Sequence, residues 1–460
     1  MNTHTDRMPA VAMDPCDIAG QASDTKTAKR HTAKRKVIAF YGLFGQQNWG
    51  NEATLQAIIF NTRRYLPDAE LRCVCSGPDD TARRYNIKAF PSSNHYANGY
   101  PSEARKQPGP AIRLLRALLN RAPKELWNWI KGLRTLKGCD MLIVPGTGLL
   151  TDYSSSPRGI PYRLLKWSVI AKLCGCKLLF VSVGAGPMYH PVTKWLVRAA
   201  LSLADYRSYR DLYSKRFIEG IGLKTSRDRL FPDLAFSLPR ALFRECGPKN
   251  DHSKTVVAVG VKDYCGKLGL PHRAGDAKYR TFIDKLASFV AWLVQNNYAV
   301  RLIIGDTLYD NKVKEDLIRL LESSGLRNDN WGIMNESIRS LDDMLSEIGR
   351  ADIVVSARFH NVLLGLMSNK PAISLSYHKK FNSLMDGFGL TSYCNDIDFL
   401  DVHKLQEDVL RLQRERAELR PLIKQRVEEY RNTLEEQYRL IFNCEPPPEE
   451  IEEYQNSTIA

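Results

Sequence analysis

Arg358 and His360 follow directly on the apolar run "IVVSA", and His378, Lys379 and Lys380 close a second apolar run, "AISLSY". Two buried strands joined by one short helix bring both polar groups to the same edge of a parallel sheet. An arginine fork matches phosphate or carboxylate bidentately, and an imidazole can carry a proton near neutral pH. The amides that open the helix "NVLLGLM" add a positive field. Such a set fits an anion site in which one histidine donates a proton. A lone histidine here would more often cap a helix or satisfy a core carbonyl. Three neighbouring cations weight the reading toward anion binding.

Three further strand ends carry glycine. The loop "GLFGQQNWGNEA" holds Gly42, Gly45 and Gly50 with Asn48, Asn51 and Glu52, at a helix start able to receive an anion. It has neither the G-x-G-x-x-G spacing nor a P-loop lysine, so no dinucleotide or Walker-type site is indicated. A glycine-rich turn with a helix cap competes with ligand binding at this loop. "VPGTGLLTD" adds Gly146, Gly148 and Asp152, and "SVGAGP" adds Gly184 and Gly186. Together these glycines outline a cleft rim, although close helix–sheet packing also selects glycine. In "YRSYRDLYS", Arg207 and Arg210 are ordinary paired or solvated residues unless they face that cleft.

The elements that must hold these groups read as two α/β units. "KVIAFYGLF", "ATLQAIIFNTRRYL" and "ELRCVCSG" give strand, helix, strand, and the alternation runs on to "RLFPDLAFSLP". Leu55, Ile58, Ile59 and Tyr65 fall near one face of the first helix. A second unit opens with "TVVAVGVK". The expected fold is α/β, two Rossmann-like domains in a glycosyltransferase-B-like arrangement with a closing C-terminal helix. The expected bounds are a disordered segment over 1–34, an N-terminal domain over 35–240 and a linker over 241–254. A C-terminal domain over 255–400, a helical segment over 401–444 and an acidic tail over 445–460 complete the chain.

Composition narrows the function. The 460 residues, 43% hydrophobic and 25% charged, suit a soluble globular protein with two substantial cores. The net charge of +15 calls for an anionic partner: a phosphorylated substrate, a membrane surface or nucleic acid. The cysteines, including "CVC" and "CGC", lack zinc-knuckle spacing and read as buried free thiols, with no metal site expected. No apolar run is long enough to span a bilayer and no secretory signal opens the sequence, so a cytoplasmic protein is expected.

"NWGNEA", "PGTGLLTD", "YRSYRDLYS…IEGIGL" with "PDLAFSLP", and above all "ARFHNVLLGLMSNKPAISLSYHKKF" resemble the polysaccharide pyruvyl transferase family over roughly residues 37 to 391. Asn51 stands where the family usually has aspartate, and Thr147 interrupts what is usually a glycine triplet. The resemblance implies transfer of the pyruvyl unit of phosphoenolpyruvate onto two sugar hydroxyls as a cyclic ketal, with phosphate released and no cofactor required. It implies His360, Arg358 and Arg210 as catalytic residues, with His360 the proton donor and His378 its understudy. Asn48, Gly50, Asn51, Glu52, Gly146, Gly148, Asp152, His378, Lys379 and Lys380 would contact substrate, with Glu52 or Asp152 accepting the sugar proton. The N-terminal domain would take the saccharide, including a polyprenyl-diphosphate-linked one, and the C-terminal domain the phosphoenolpyruvate. A nucleotide-sugar-dependent glycosyltransferase of the same fold is the alternative. A basic nucleic-acid-binding protein is the weaker one, since no recognition module interleaves aromatic and basic residues.

Residues 111 to 137 join seven basic side chains and one acid, Glu125, to leucines and to Trp127 and Trp129. That composition suits the face of an anionic membrane, against the plainer reading of helices packed on the sheet with solvated charges. Pro123 is expected to divide the segment.

Overall fold

The runs Met141–Pro145, Ile353–Ser356 and Ala372–Ser376 are buried at every position, as a parallel sheet covered by helices on both faces demands. In the computed structural model, residues 35–93, 122–152, 156–243, 254–264, 277–326 and 332–444 are described. The expectations for the segments 1–34 and 445–460, for most of the linker and for residues 111–121 lie outside them.

The first half alternates β1 (Val37–Tyr41), α1 (Trp49–Tyr65), β2 (Glu70–Cys75), α2 (Pro78–Tyr85), β3 (Lys88–Pro91), α3 (Ala122–Leu136), β4 (Met141–Pro145), α4 (Ile160–Leu173), β5 (Lys177–Val183), α5 (Pro191–Ser202), β6 (Tyr206–Tyr209), α6 (Leu212–Gly220) and β7 (Arg229–Leu230). Its strands form one parallel sheet in the order β3-β2-β1-β4-β5-β6-β7. The second half runs β8 (Val256–Gly260), α7 (Ala277–Gln295), β9 (Ala299–Ile303), α8 (Thr307–Ser323), β10 (Ile333–Met334), α9 (Leu341–Gly349), β11 (Ile353–Ser356), α10 (Phe359–Met367), β12 (Ala372–Ser376), α11 (Lys379–Gly387) and β13 (Cys394–Asp396). Its parallel sheet has the order β10-β9-β8-β11-β12-β13. Both sheets reverse direction beside their first strand, which opens a crevice at the strand carboxyl ends.

A long helix, α12 (Val402–Phe442), returns from the second half to the first. Asp401 caps its start by accepting from the amides of His403 and Lys404. Near its end, fully buried Gln437 accepts from Ser208 Oγ at 2.6 Å and donates to Ser182 Oγ at 2.9 Å. Tyr438 and Phe442 pack on Tyr65 of α1. One hydrophobic core runs from a face of the first sheet through the second half. A smaller one lies beneath α3, α4 and α5 on the other face. Leu55, Ile58, Ile59 and Tyr65 all turn into the larger core. The seven described cysteines are free thiols, four of them buried.

Candidate active site

The loop after β1 meets the start of α8 across the halves. The Trp49 amide donates to the Gly305 carbonyl at 3.0 Å and the Thr307 amide to the Gln47 carbonyl at 3.1 Å. Asn48 Nδ2 adds a 2.9 Å bond to Asp306 Oδ2, while its Oδ1 caps α1 by accepting from the Asn51 amide. Asn51 Nδ2 donates to the Leu43 carbonyl. Glu52 turns into the core of the first half, where it accepts from the Gly45 amide at 2.7 Å and Tyr85 Oη at 2.8 Å. Burial pushes its carboxyl above the usual range. Gly50 lies against His360: a Cβ there would stand 2.0 Å from His360 Nδ1. Gly146 and Gly148 form the turn after β4, with Gly146 against the Ser182 carbonyl. Asp152 Oδ2 accepts the amides of Tyr189 and His190 just before α5. These first-half residues therefore spend most of their polar atoms on the loops themselves and on the contact between halves.

The cations gather one step along the cleft. A cavity of about 1430 Å³ runs between β6, α6 and the segment 230–236 on one side and β12, α11 and α12 on the other. Arg210 enters it from the end of β6. Its Nη1 donates to Asp233 Oδ2 at 3.1 Å, and its guanidinium lies 5.0 Å from the centre of the Phe359 ring. Gly184 gives it room, since a Cβ there would meet the guanidinium at 2.5 Å. Asp211 caps α6 through a 2.6 Å bond from the Ser214 amide.

From the second half, Lys380 sends its ammonium over Phe359 at 5.2 Å, Tyr377 at 5.4 Å and Phe381 at 5.8 Å. Among the described residues no carboxylate lies within ion-pair distance of it. Burial first, then Arg210 and Arg358, bring its pKa down to about 7. Lys379 is exposed and leans over Tyr213. His378 is occupied at both nitrogens. Nδ1 accepts from the Lys380 amide and caps α11, so Nε2 carries the proton and donates to the Gly186 carbonyl at 3.1 Å. Burial lowers its pKa to about 4.

Arg358 is held by Asp310, which is fully buried. The guanidinium forks the carboxylate through Nε, at 2.7 Å, and Nη2. The same carboxylate accepts the amides of Asp263, Gly305 and Asp306. Burial works against the charge on Arg358, but Asp310 and Asp306 outweigh it and hold the arginine protonated. His360 Nε2 is buried with no hydrogen-bond partner and lies 3.9 Å from Asp233 Oδ2. Burial, partly countered by Asp233, lowers its pKa to about 4, which favours the neutral imidazole near pH 7.

Asp233 thus stands between Arg210 of one half and His360 of the other. The sequence reading missed it, as it missed Asp310 and Phe359, although "PDLAFSLP" and "ARFH" contain two of the three. It also missed Lys262, a buried lysine after β8 whose ammonium lies 4.7 Å from the Tyr377 ring. β8, β11 and β12 each end in or near a cation: Lys262, Arg358 and Lys380. Among the described residues no group of three or more His, Cys, Asp or Glu is placed to hold a metal ion.

Two parallel Rossmann-like sheets, a cleft between them and a returning C-terminal helix define a glycosyltransferase-B-like fold. Solved structures agree. A UDP-N-acetylglucosamine 2-epimerase superposes with TM-score 0.54 at 11% identity, covering 90% of this chain and 98% of its own. The Candida albicans trehalose-6-phosphate phosphatase N-terminal domain gives 0.52 at 10%, covering 88% and 98%. The Neisseria meningitidis UDP-GlcNAc 2-epimerase, solved with UDP-GlcNAc bound, gives 0.51 at 11%, covering 87% and 99%. At such identity they establish the fold alone. The sequence model of polysaccharide pyruvyl transferases matches residues 48–379, and the chain belongs to that family. It is therefore a transferase acting on polysaccharide. No curated protein matches the sequence.

Proposed function

We propose that the protein moves the pyruvyl unit of phosphoenolpyruvate onto two hydroxyls of a saccharide, as a cyclic ketal, in the biosynthesis of a cell-surface polysaccharide. The observation that carries the reading is the meeting of Arg210 and Lys380, one from each half, over the single ring of Phe359. Arg210 is balanced by Asp233, whereas among the described residues no carboxylate pairs with Lys380 at ion-pair distance. A small ligand with two anionic groups suits that pair, and phosphoenolpyruvate brings a carboxylate and a phosphate.

In the proposed reaction the C2–C3 electron pair of the donor takes a proton at the methylene carbon, and C2 becomes electrophilic. One acceptor hydroxyl bonds to C2, the bond from C2 to the phosphate oxygen breaks, and the second hydroxyl closes the ketal. The atoms balance without a cofactor. We assign the proton to His360. A bound dianion favours the protonated imidazole, so donor binding loads an acid that the empty site keeps neutral. Asp233, 3.9 Å from Nε2, favours the charged ring electrostatically. The base that receives the hydroxyl protons is not assigned to Glu52, whose carboxylate is spent on Gly45 and Tyr85.

The test pairs binding with turnover. Phosphoenolpyruvate should raise the melting temperature in the parent protein and in His360→Ala alike. With a working saccharide acceptor, phosphate release should fall about 10²-fold or more in the variant. Stabilisation by nucleotide sugars and none by phosphoenolpyruvate would overturn the reading. Normal turnover in His360→Ala would overturn the assignment of the acid.

A further inference from the structure

Helices α3, α4 and α5 lie side by side over one face of the first sheet and share its smaller core. Between them they carry eight lysines and arginines and one acid, Glu125. That acid is withdrawn from the surface charge: Glu125 accepts from buried Lys166 at 3.0 Å and from Tyr162 Oη at 3.0 Å. Lys172 is also paired, with Asp205 at 2.8 Å, and the proposal rests on the exposed side chains of α3 and α5. On α3, Leu126 and Trp127 are 64% and 47% exposed, and Lys131 and Arg134 lie over the Trp127 ring. Trp129 turns inward, with its Nε1 on Tyr162 Oη. Pro123 is the second described residue of this helix, and residues 111–121 before it lie outside the described residues.

A second exposed group stands on α5, which the composition of residues 111–137 could not indicate. Val192 and Trp195 are 47% and 56% exposed, next to Lys194 and Arg198. In a parallel sheet each connecting helix runs opposite to the strands, so α3, α4 and α5 all begin at the edge where the cleft opens. Tyr189, 58% exposed and just ahead of α5, also lines the cleft, which makes the platform continuous with the cleft mouth.

We infer that this face docks on an anionic bilayer, with Trp127 and Trp195 at the headgroup boundary and the cleft mouth turned toward lipid-carried acceptor. Charge complementarity selects the occupant: aromatic and aliphatic side chains beside Lys131, Arg134, Lys194 and Arg198 are what an anionic lipid surface binds. The platform is independent of the donor chemistry, and either proposal can fail while the other stands.

The experiment is co-sedimentation of the full chain with phosphatidylcholine vesicles, with and without phosphatidylglycerol, over a range of salt. Binding should require the anionic lipid, weaken with salt, and fall about tenfold in Trp127→Ala/Trp195→Ala and again in Lys131→Glu/Arg134→Glu. Lipids brominated near the headgroup should quench tryptophan emission in the parent and less in the double alanine variant. Equal recovery on neutral and anionic vesicles would overturn the proposal. So would anionic binding untouched by either pair of substitutions, a homodimer that dissociates on Trp127→Ala, or an oligonucleotide complex lost through the same changes.

Discussion

Lys380 sits at the cleft with aromatic rings around its ammonium and, among the described residues, no carboxylate at ion-pair distance, and that placement has a consequence for pH. The free amine loses its proton above about 7, whereas an amine facing a bound anion keeps it. Donor binding above that pH must then take up a proton, and affinity should fall as pH rises, by at most about tenfold per unit. Below about 7 the group is already charged and contributes no such slope. Arginine stays protonated throughout, so Lys380→Arg should remove the fall between pH 7 and 9. Calorimetric titration of phosphoenolpyruvate at several pH values reads this directly, and an unchanged slope in Lys380→Arg would place the titrating group elsewhere. His378 answers differently at the same scale. With both ring nitrogens committed to the Lys380 amide and the Gly186 carbonyl, it caps α11 and ties the halves.

At the scale of elements, the start of α10 depends on α8. Arg358 caps α10 backbone-wise from the end of β11, and its side chain reaches Asp310 in the first turn of α8. Both side chains are largely or wholly out of water, at 17% and 0% exposure. Removing one partner leaves an uncompensated buried charge, which costs about 3–5 kcal/mol. Asp310→Ala should therefore lower stability by that amount in denaturant titrations, and the double change to apolar residues should recover part of it. A loss below about 1 kcal/mol would show the pair to be well solvated. This coupling also explains what the sequence could and could not disclose. "IVVSA" and "AISLSY" announce buried parallel strands, and the cations after them must emerge at one edge, so Arg358, His360 and Lys380 were legible as a cluster. Their partners were not. Asp310 lies in a helix whose pattern reads only as amphipathic, and a carboxylate some distance away in sequence leaves no local trace. Glu52, beside glycines and asparagines, looks ligand-facing in sequence. Only the packing of Tyr85 and the Gly45 amide turns it inward.

At the scale of the whole molecule, the two halves are joined by more than a linker. Backbone bonds link the loop after β1 to the start of α8, Asn48 bonds Asp306, His378 reaches Gly186, and α12 anchors Gln437 among Ser182 and Ser208. The alternation of strands and helices made two Rossmann-like units legible. The contacts between them draw on single residues at loop tips, which no periodicity marks. That closure sets Arg210 and Asp233 opposite His360 and Lys380, and the proposed chemistry depends on it. Among the described residues no helix is long and apolar enough to cross a membrane. The docking proposed above rests instead on the exposed cationic and aromatic side chains of α3 and α5.

The most direct measurement follows the carbon skeleton of the donor. Phosphoenolpyruvate labelled in its three carbons is incubated with the protein and a panel of free and lipid-linked oligosaccharides, and the products are read by mass spectrometry alongside released phosphate. One saccharide heavier by a labelled pyruvate ketal is expected, with one phosphate released per product. A product that gains a hexose from an added nucleotide sugar, and never the labelled carbons, would contradict it.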